Sequence, residues 1–147
     1  MQAFRIKGGK KLKGEVRPQG AKNEALQIIC ATLLTSEKVI INNIPDIIDI
    51  NKLISLLISL GVKVEKLNSN KYSFKADNID LDYLKSEQFK IDGKSLRGSI
   101  MIVGPLLARF GKAYIPRPGG DKIGRRRLDT HFDLSLIHIS EPTRQAE

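Results

Sequence analysis

The chain has 147 residues, 41% apolar and 28% charged, which excludes a disordered tail and suffices for one packed domain. No apolar run approaches the roughly 18–20 residues of a membrane span, and Met1-Gln2-Ala3-Phe4-Arg5 lacks the apolar stretch of a secretory leader, so a cytoplasmic protein is expected. A net charge of +9 calls for anionic partners, while 5% aromatic residues and no tryptophan weigh against a surface that stacks on nucleic-acid bases.

Phe4 and Ile6, then Leu12 and Val16, alternate with polar residues on either side of Gly8-Gly9, which predicts two short strands around a glycine turn. Pro18-Gln19-Gly20 punctuates the chain, and a helix is expected over 21–34 with Ala25, Leu26, Ile29 and Leu33 on its buried face. Cys30 lies in that helix, as a packing residue by preference over a reactive thiol; a lone cysteine makes no internal disulfide, and no Cys/His cluster suggests a metal. A β-branched strand follows over 38–42. Asp46 or Asp49 is a plausible N-cap for the next helix, whose face Ile50, Leu53, Ile54, Leu57, Ile58 runs to about Leu60 and stops at Gly61. Strands over 62–67 and 71–76 flank an Asn68-Ser69-Asn70 hairpin turn.

Residues 81–92 are less regular. A second long helix is expected over 95–109, then a strand over 112–115, a Pro/Gly-rich loop, and another helix near Arg126. The order helix, strand, loop, helix thus occurs twice, with a period of roughly 70–75 residues, which suggests repeated βαβαββ units with helices buried against sheets. Leu134-Ser135-Leu136-Ile137-His138-Ile139-Ser140-Glu141-Pro142-Thr143-Arg144 matches the translation of a widely used transposase adapter, so 134–147 is expected to be non-native and 1–133 the front of a longer protein. Without that tail the net charge is +9 − (+1 − 2) = +10, so the basic character belongs to the remainder.

Three basic sites could carry chemistry. Gly20-Ala21-Lys22-Asn23 is a glycine turn opening a helix, where free N–H groups, the helix dipole and Lys22 favour an anion. Lys94-Ser95-Leu96-Arg97-Gly98-Ser99 offers two cations beside small residues. Pro116-Arg117-Pro118-Gly119-Gly120-Asp121-Lys122-Ile123-Gly124-Arg125-Arg126-Arg127 places Asp121 at a glycine-flanked loop tip before guanidinium groups suited to phosphate oxygens. Spacing alone favours solvated basic residues at the first two, whereas the Gly119-Gly120 tip makes the third look more like a lid over an anion.

Taken together, Leu12-Lys13-Gly14-Glu15-Val16, Gly20-Ala21-Lys22-Asn23, Leu96-Arg97-Gly98-Ser99, Gly104-Pro105-Leu106-Leu107-Ala108-Arg109-Phe110-Gly111, Pro118-Gly119-Gly120 and Ile123-Gly124-Arg125-Arg126 through Asp129 to His131 resemble the bacterial UDP-N-acetylglucosamine enolpyruvyl transferases, collinearly over 1–133. The resemblance implies an α/β (α+β) fold, an inside-out α/β barrel of βαβαββ units, here truncated. It makes 1–20 strands of the second lobe and 21–133 an incomplete first lobe. It implies transfer of the enolpyruvyl group from phosphoenolpyruvate to the 3-hydroxyl of UDP-N-acetylglucosamine, with phosphate released and no metal or organic cofactor. The substrates are small molecules, with no nucleic acid or membrane partner, and the full-length protein is expected to be monomeric.

By the same resemblance Lys22 holds phosphoenolpyruvate, Asn23 contacts the sugar nucleotide and Arg97 lies near the anionic groups. Arg126 contacts phosphate, Asp129 lies at the uracil, and Asp121 is catalytic at the loop tip, with Lys22 and Arg126 also taking part. Many members carry cysteine where this chain has Asp121, and proline where it has Arg127. A carboxyl has an ordinary pKa of about 3.9 against about 8.5 for a thiol, and is a poorer nucleophile toward an epoxide such as fosfomycin. The competing expectations are the shikimate-pathway enolpyruvyl transferase, whose first helix opens on a Ser-Lys-Ser type motif unlike Ala21-Lys22-Asn23, and a basic nucleic-acid-binding module.

Overall fold

The computed structural model describes residues 4–116 and 129. Helix α1 (Lys22–Ala31) continues as a 3-10 turn (Thr32–Leu34) into strand β1 (Lys38–Ile41). Helix α2 (Ile48–Ser59) leads to the hairpin of β2 (Lys63–Asn68) and β3 (Lys71–Lys75). Helix α3 (Glu87–Lys94), a 3-10 segment (Arg97–Ile102) and α4 (Val103–Phe110) complete the described elements.

The three strands form one antiparallel sheet in the order β1-β3-β2. β1 and β2 both pair with β3, so the crossover through α2 leaves a strand's width that the returning hairpin fills. Val39, Phe74 and Val64 stand opposite one another across the three strands, which puts an apolar row on one face. Against that face the helices bury Ala25, Ile29 and Leu33 of the first helical segment, Ile50, Leu53, Leu56 and Leu57 of α2, Phe89 of α3 and Leu106 of α4.

α2 forms as its spacing predicts, with one exchange: Leu56 is buried and Ile58 exposed. Its N-cap position is Ile47, with no side-chain capping bond, so neither Asp46 nor Asp49 caps it. Asp46 instead accepts from Asn51 Nδ2 at 2.8 Å. The helix ends where Gly61 takes φ 102°, a backbone shape costly for any other residue.

Four expected elements differ. The long helix over 95–109 is divided into the 3-10 segment and α4, and α3 occupies what reads as irregular sequence. Ser86 caps α3 by accepting from Phe89 N at 3.0 Å. Pro105 has no N–H to give Met101 O and would strike it in a continuous helix, so it fits only the first turn of a new one, α4. Residues 112–115 form no strand, nor do 4–20. Strands exist only by pairing, and among the described residues neither segment has a ladder partner; Phe4, Ile6, Leu12 and Val16 stand exposed. The second repeat therefore lacks its strand among the described residues.

Arg109 ties the ends of this architecture together. Its Nη1 donates to Leu33 O at 3.0 Å, Thr35 O at 3.1 Å and Ala76 O at 2.8 Å. One guanidinium thereby closes the exit of the first helical segment, the end of β3 and α4 into a single corner.

Candidate active site

Two chain entries meet at the base of the site. A Cβ on Gly20 would lie 1.9 Å from Asn43 O and 3.3 Å from Pro45 Cδ, so only glycine lets the segment entering α1 lie against the segment entering α2. Asn43 itself takes φ 60°, the left-handed region that asparagine tolerates better than most residues. Ile44 N donates to Asn70 O at 2.8 Å and fixes that entry to the hairpin turn.

From this junction the two helices start side by side. Lys22 is the first residue of α1, after Ala21 at an N-cap that supplies no side-chain bond. Asp49 is in the first turn of α2, where the helix dipole favours a carboxylate. Lys22 Nζ donates to Asp49 Oδ2 at 2.9 Å, with the two side chains 50% and 40% exposed. Asn23, next along α1, is exposed.

Arg97 opens the 3-10 segment and is half-buried. That segment packs on α1: a Cβ on Gly98 would stand 3.2 Å from Leu26 Cδ1, and Leu26 lies one helical turn beyond Lys22 on the same face. Ser99, fully buried, donates from Oγ to Gly93 O at 2.8 Å and locks the segment to the end of α3. Pro116, directly before the glycine-rich loop, rests on the same glycine, its Cγ 2.6 Å from where a Cβ would be. The structure therefore gathers the turns that carry Lys22 and Arg97 around α1. Pro116 thus lies against Gly93, which precedes Arg97 by four residues. Asp121 and Arg126 lie outside the described residues, as do Pro118–Gly120 and Arg127; Asp129 is exposed.

A cleft of about 340 Å³ runs beside this junction between α2 and α3, lined by Ile48, Asn51, Lys52, Ser55, Asp92 and Ser95 among others. Lys52 Nζ spans it to Ser95 O at 3.4 Å. A second cleft, of about 470 Å³, has Lys85, Lys90, Lys94 and Tyr114 on its walls. Cys30 is buried, and burial pushes its thiol up to about 12, which removes it as a nucleophile at neutral pH. Among the described residues no three His, Cys, Asp or Glu side chains gather as a metal site would require. No described helix is long and apolar enough to cross a membrane.

Two residues of consequence were not read from the sequence as site or scaffold groups. Asp49 carries a visible signal as an acidic residue in a first helical turn, but one that points to a cap and not to Lys22. Arg109 carries none, because its partners are main-chain carbonyls of three distant segments.

Residues 6–135 match the family model described as EPSP synthase (3-phosphoshikimate 1-carboxyvinyltransferase). The chain is 64% identical over 132 residues to the UDP-N-acetylglucosamine 1-carboxyvinyltransferase of Bacteroides thetaiotaomicron, a match covering 90% of this chain and 30% of that protein. It is 60% identical over 132 residues to the one of Porphyromonas gingivalis, with the same two coverages. The similarly named protein of Treponema denticola is 39% identical over 139 residues, 95% of this chain and 32% of that protein. Among solved structures, the enolpyruvyl transferase NikO from Streptomyces tendae matches with a TM-score of 0.54 at 24% identity, over 72% of this chain and 24% of that one. The chain thus spans about a third or less of the length of these relatives, and the likeness to NikO gives an enolpyruvyl transferase-like α+β fold.

Proposed function

This chain belongs to the EPSP synthase family of 1-carboxyvinyltransferases, and on that premise we propose that it is part of an enzyme that transfers the enolpyruvyl group of phosphoenolpyruvate to UDP-N-acetylglucosamine. The observation that carries this reading is the 60–64% identity, over nine-tenths of the chain, to proteins named for that reaction and not for the shikimate one. In the proposed reaction the 3-hydroxyl of the sugar gives up its proton to a base as its oxygen adds to C2 of phosphoenolpyruvate and C3 gains a proton. The tetrahedral adduct then loses phosphate from C2 and a proton from C3, restoring the double bond in the transferred group.

The role of this chain's residues is electrostatic. Two substrates bring a phosphate, a carboxylate and a diphosphate into one place, and preorganised cations offset that charge as it shifts toward the leaving phosphate. Lys22 is proposed to hold phosphoenolpyruvate, with Arg97 on the adjoining turn, Arg126 on the phosphate, and Asn23 and Asp129 on the sugar nucleotide. Asp121 is proposed as the proton-handling group of the loop tip. Residues 21–133 would form part of one lobe of a two-lobed barrel, and 1–20 would pair as strands in the other lobe. The remaining substrate groups would come from that second lobe, so the chain alone is expected to be inactive and the whole enzyme monomeric and cytoplasmic.

The test is phosphate release by the protein encoded by the complete reading frame, with UDP-N-acetylglucosamine and shikimate 3-phosphate as rival acceptors. Turnover with the nucleotide sugar alone, abolished by Lys22→Met, is expected; turnover with shikimate 3-phosphate alone would overturn the reading. The same protein, incubated with fosfomycin, should keep its activity. An adduct on Asp121 in the mass spectrum, with matching loss of turnover, would remove the proposed distinction between aspartate and cysteine at the tip.

A further inference from the structure

The bond between Lys22 and Asp49 is poorly explained as a source of stability. Both side chains are close to half exposed, and an ion pair of that kind, screened by solvent, contributes little to stability. Lysine has four rotatable bonds, and holding its ammonium in one place costs side-chain entropy. What sets this pair apart from an ordinary surface bridge is the rigidity of its two anchors. Lys22 begins a helix fixed by Ala25 and Ile29, and Asp49 one fixed by Ile50 and Leu53, three of these four being fully buried. The segments entering both helices are pressed together where Gly20 meets Asn43 O. Neither backbone can drift, so a bond of 2.9 Å between the two side chains fixes the ammonium relative to the whole core.

Resting on the reading of Lys22 as the phosphoenolpyruvate-binding lysine, we propose that Asp49 is a positioning residue that aims it. An ammonium has three N–H groups. One is spent on Asp49 Oδ2, which leaves the other two for an anion, and the Arg97 segment packs on the same helix at Leu26, one turn beyond Lys22. The lysine therefore meets its anion already oriented, and binding does not have to freeze it anew.

This makes a prediction opposite in sign to simple electrostatics. Were Asp49 only a neighbouring negative charge, removing it would tighten the binding of any anion at Lys22. As a positioning residue, its removal weakens that binding.

Side-chain NMR of the protein encoded by the complete reading frame, with the Lys22 ammonium signal assigned by its loss in Lys22→Met, reads both parts. Without ligand, Asp49→Ala should mobilise the Lys22 ammonium, while Asp49→Asn, which keeps an oxygen acceptor in place, should restore most of its order. On titration with phosphoenolpyruvate, Asp49→Ala should bind roughly fivefold more weakly than the parent, the scale of ordering one lysine side chain, and Asp49→Asn should fall between. Amide spectra matching the parent establish that each variant is folded. Unchanged Lys22 order in Asp49→Ala, or phosphoenolpyruvate binding as tight as or tighter than the parent's, would overturn the proposal. A mobilised Lys22 in Asp49→Ala, combined with no response of Lys22 to phosphoenolpyruvate in the parent, would instead sink the substrate assigned to Lys22 and leave Asp49's hold on it standing.

Discussion

Residues 4–20 and helix α2 both present apolar side chains at regular intervals, yet they end in opposite states. Ile50, Leu53 and Leu57 of α2 are 0% exposed, whereas Phe4 is 98%, Ile6 92%, Leu12 96% and Val16 88% exposed. Periodicity states which face a segment would bury; it does not supply the surface that buries it. A helix completes its own hydrogen bonds and needs only a neighbour's apolar face, which α1, α3 and β2 provide. A strand needs a neighbour's backbone as well, and 4–20 finds none among the described residues.

Substitutions should reproduce that contrast. The largest effect belongs to the core: Leu57→Ala should lower stability to urea by about 3–4 kcal/mol, through lost burial and the cavity left behind. Next is Arg109→Ala, which strips three carbonyls of their shared donor. About 2 kcal/mol is expected in the same unfolding curve, since bonds to a charged donor exceed neutral ones. A smaller effect concerns pH. Lys63 and Lys75, bonded to Asp77 at 3.0 and 3.1 Å, hold its carboxyl down to about 2 from an ordinary 3.8. Between those values the unfolded chain binds the extra proton, so stability should fall as pH drops from about 4 toward 2, and Asp77→Asn should flatten that part of the profile. The smallest change is expected at the other pole of the comparison. Phe4→Ser should leave the unfolding midpoint unmoved while reducing light scattering at high concentration, and a measurable loss of stability would show that 4–20 packs on the core in solution.

How much of this was legible in the sequence followed from how local the cause is. α1, β1, α2 and the β2–β3 hairpin were readable because their signals are contiguous: unbroken apolar spacing, β-branched runs, Asn68-Ser69-Asn70 and Gly61. The region 81–110 was misdivided because apolar spacing ran across a boundary that Ser86 and Pro105 define by backbone chemistry. Both residues were in view, and Pro105 alone forbids one helix over 95–109. In the candidate site, Lys22 and Arg97 are legible as cations on short turns with glycine close by, and the structure packs the Arg97 segment on the helix that Lys22 opens. Asp49 was seen in the wrong role, because a first-turn carboxylate reads locally as a cap while its partner lies 27 residues away. Arg109 was hidden for a stronger reason: hydrogen bonds to main-chain oxygens leave no mark on the identity of the residues that accept them.

The contact between Gly20 and Asn43 has a consequence for how this sequence can vary. The obstacle facing any side chain at position 20 is a carbonyl oxygen, which every residue at position 43 carries. No second substitution at 43 can therefore clear room for a larger residue at 20. The two positions should not covary, and a genetic selection for suppressors of Gly20→Ala should return insertions or deletions in 42–46 that move the backbone, in preference to compensating point changes.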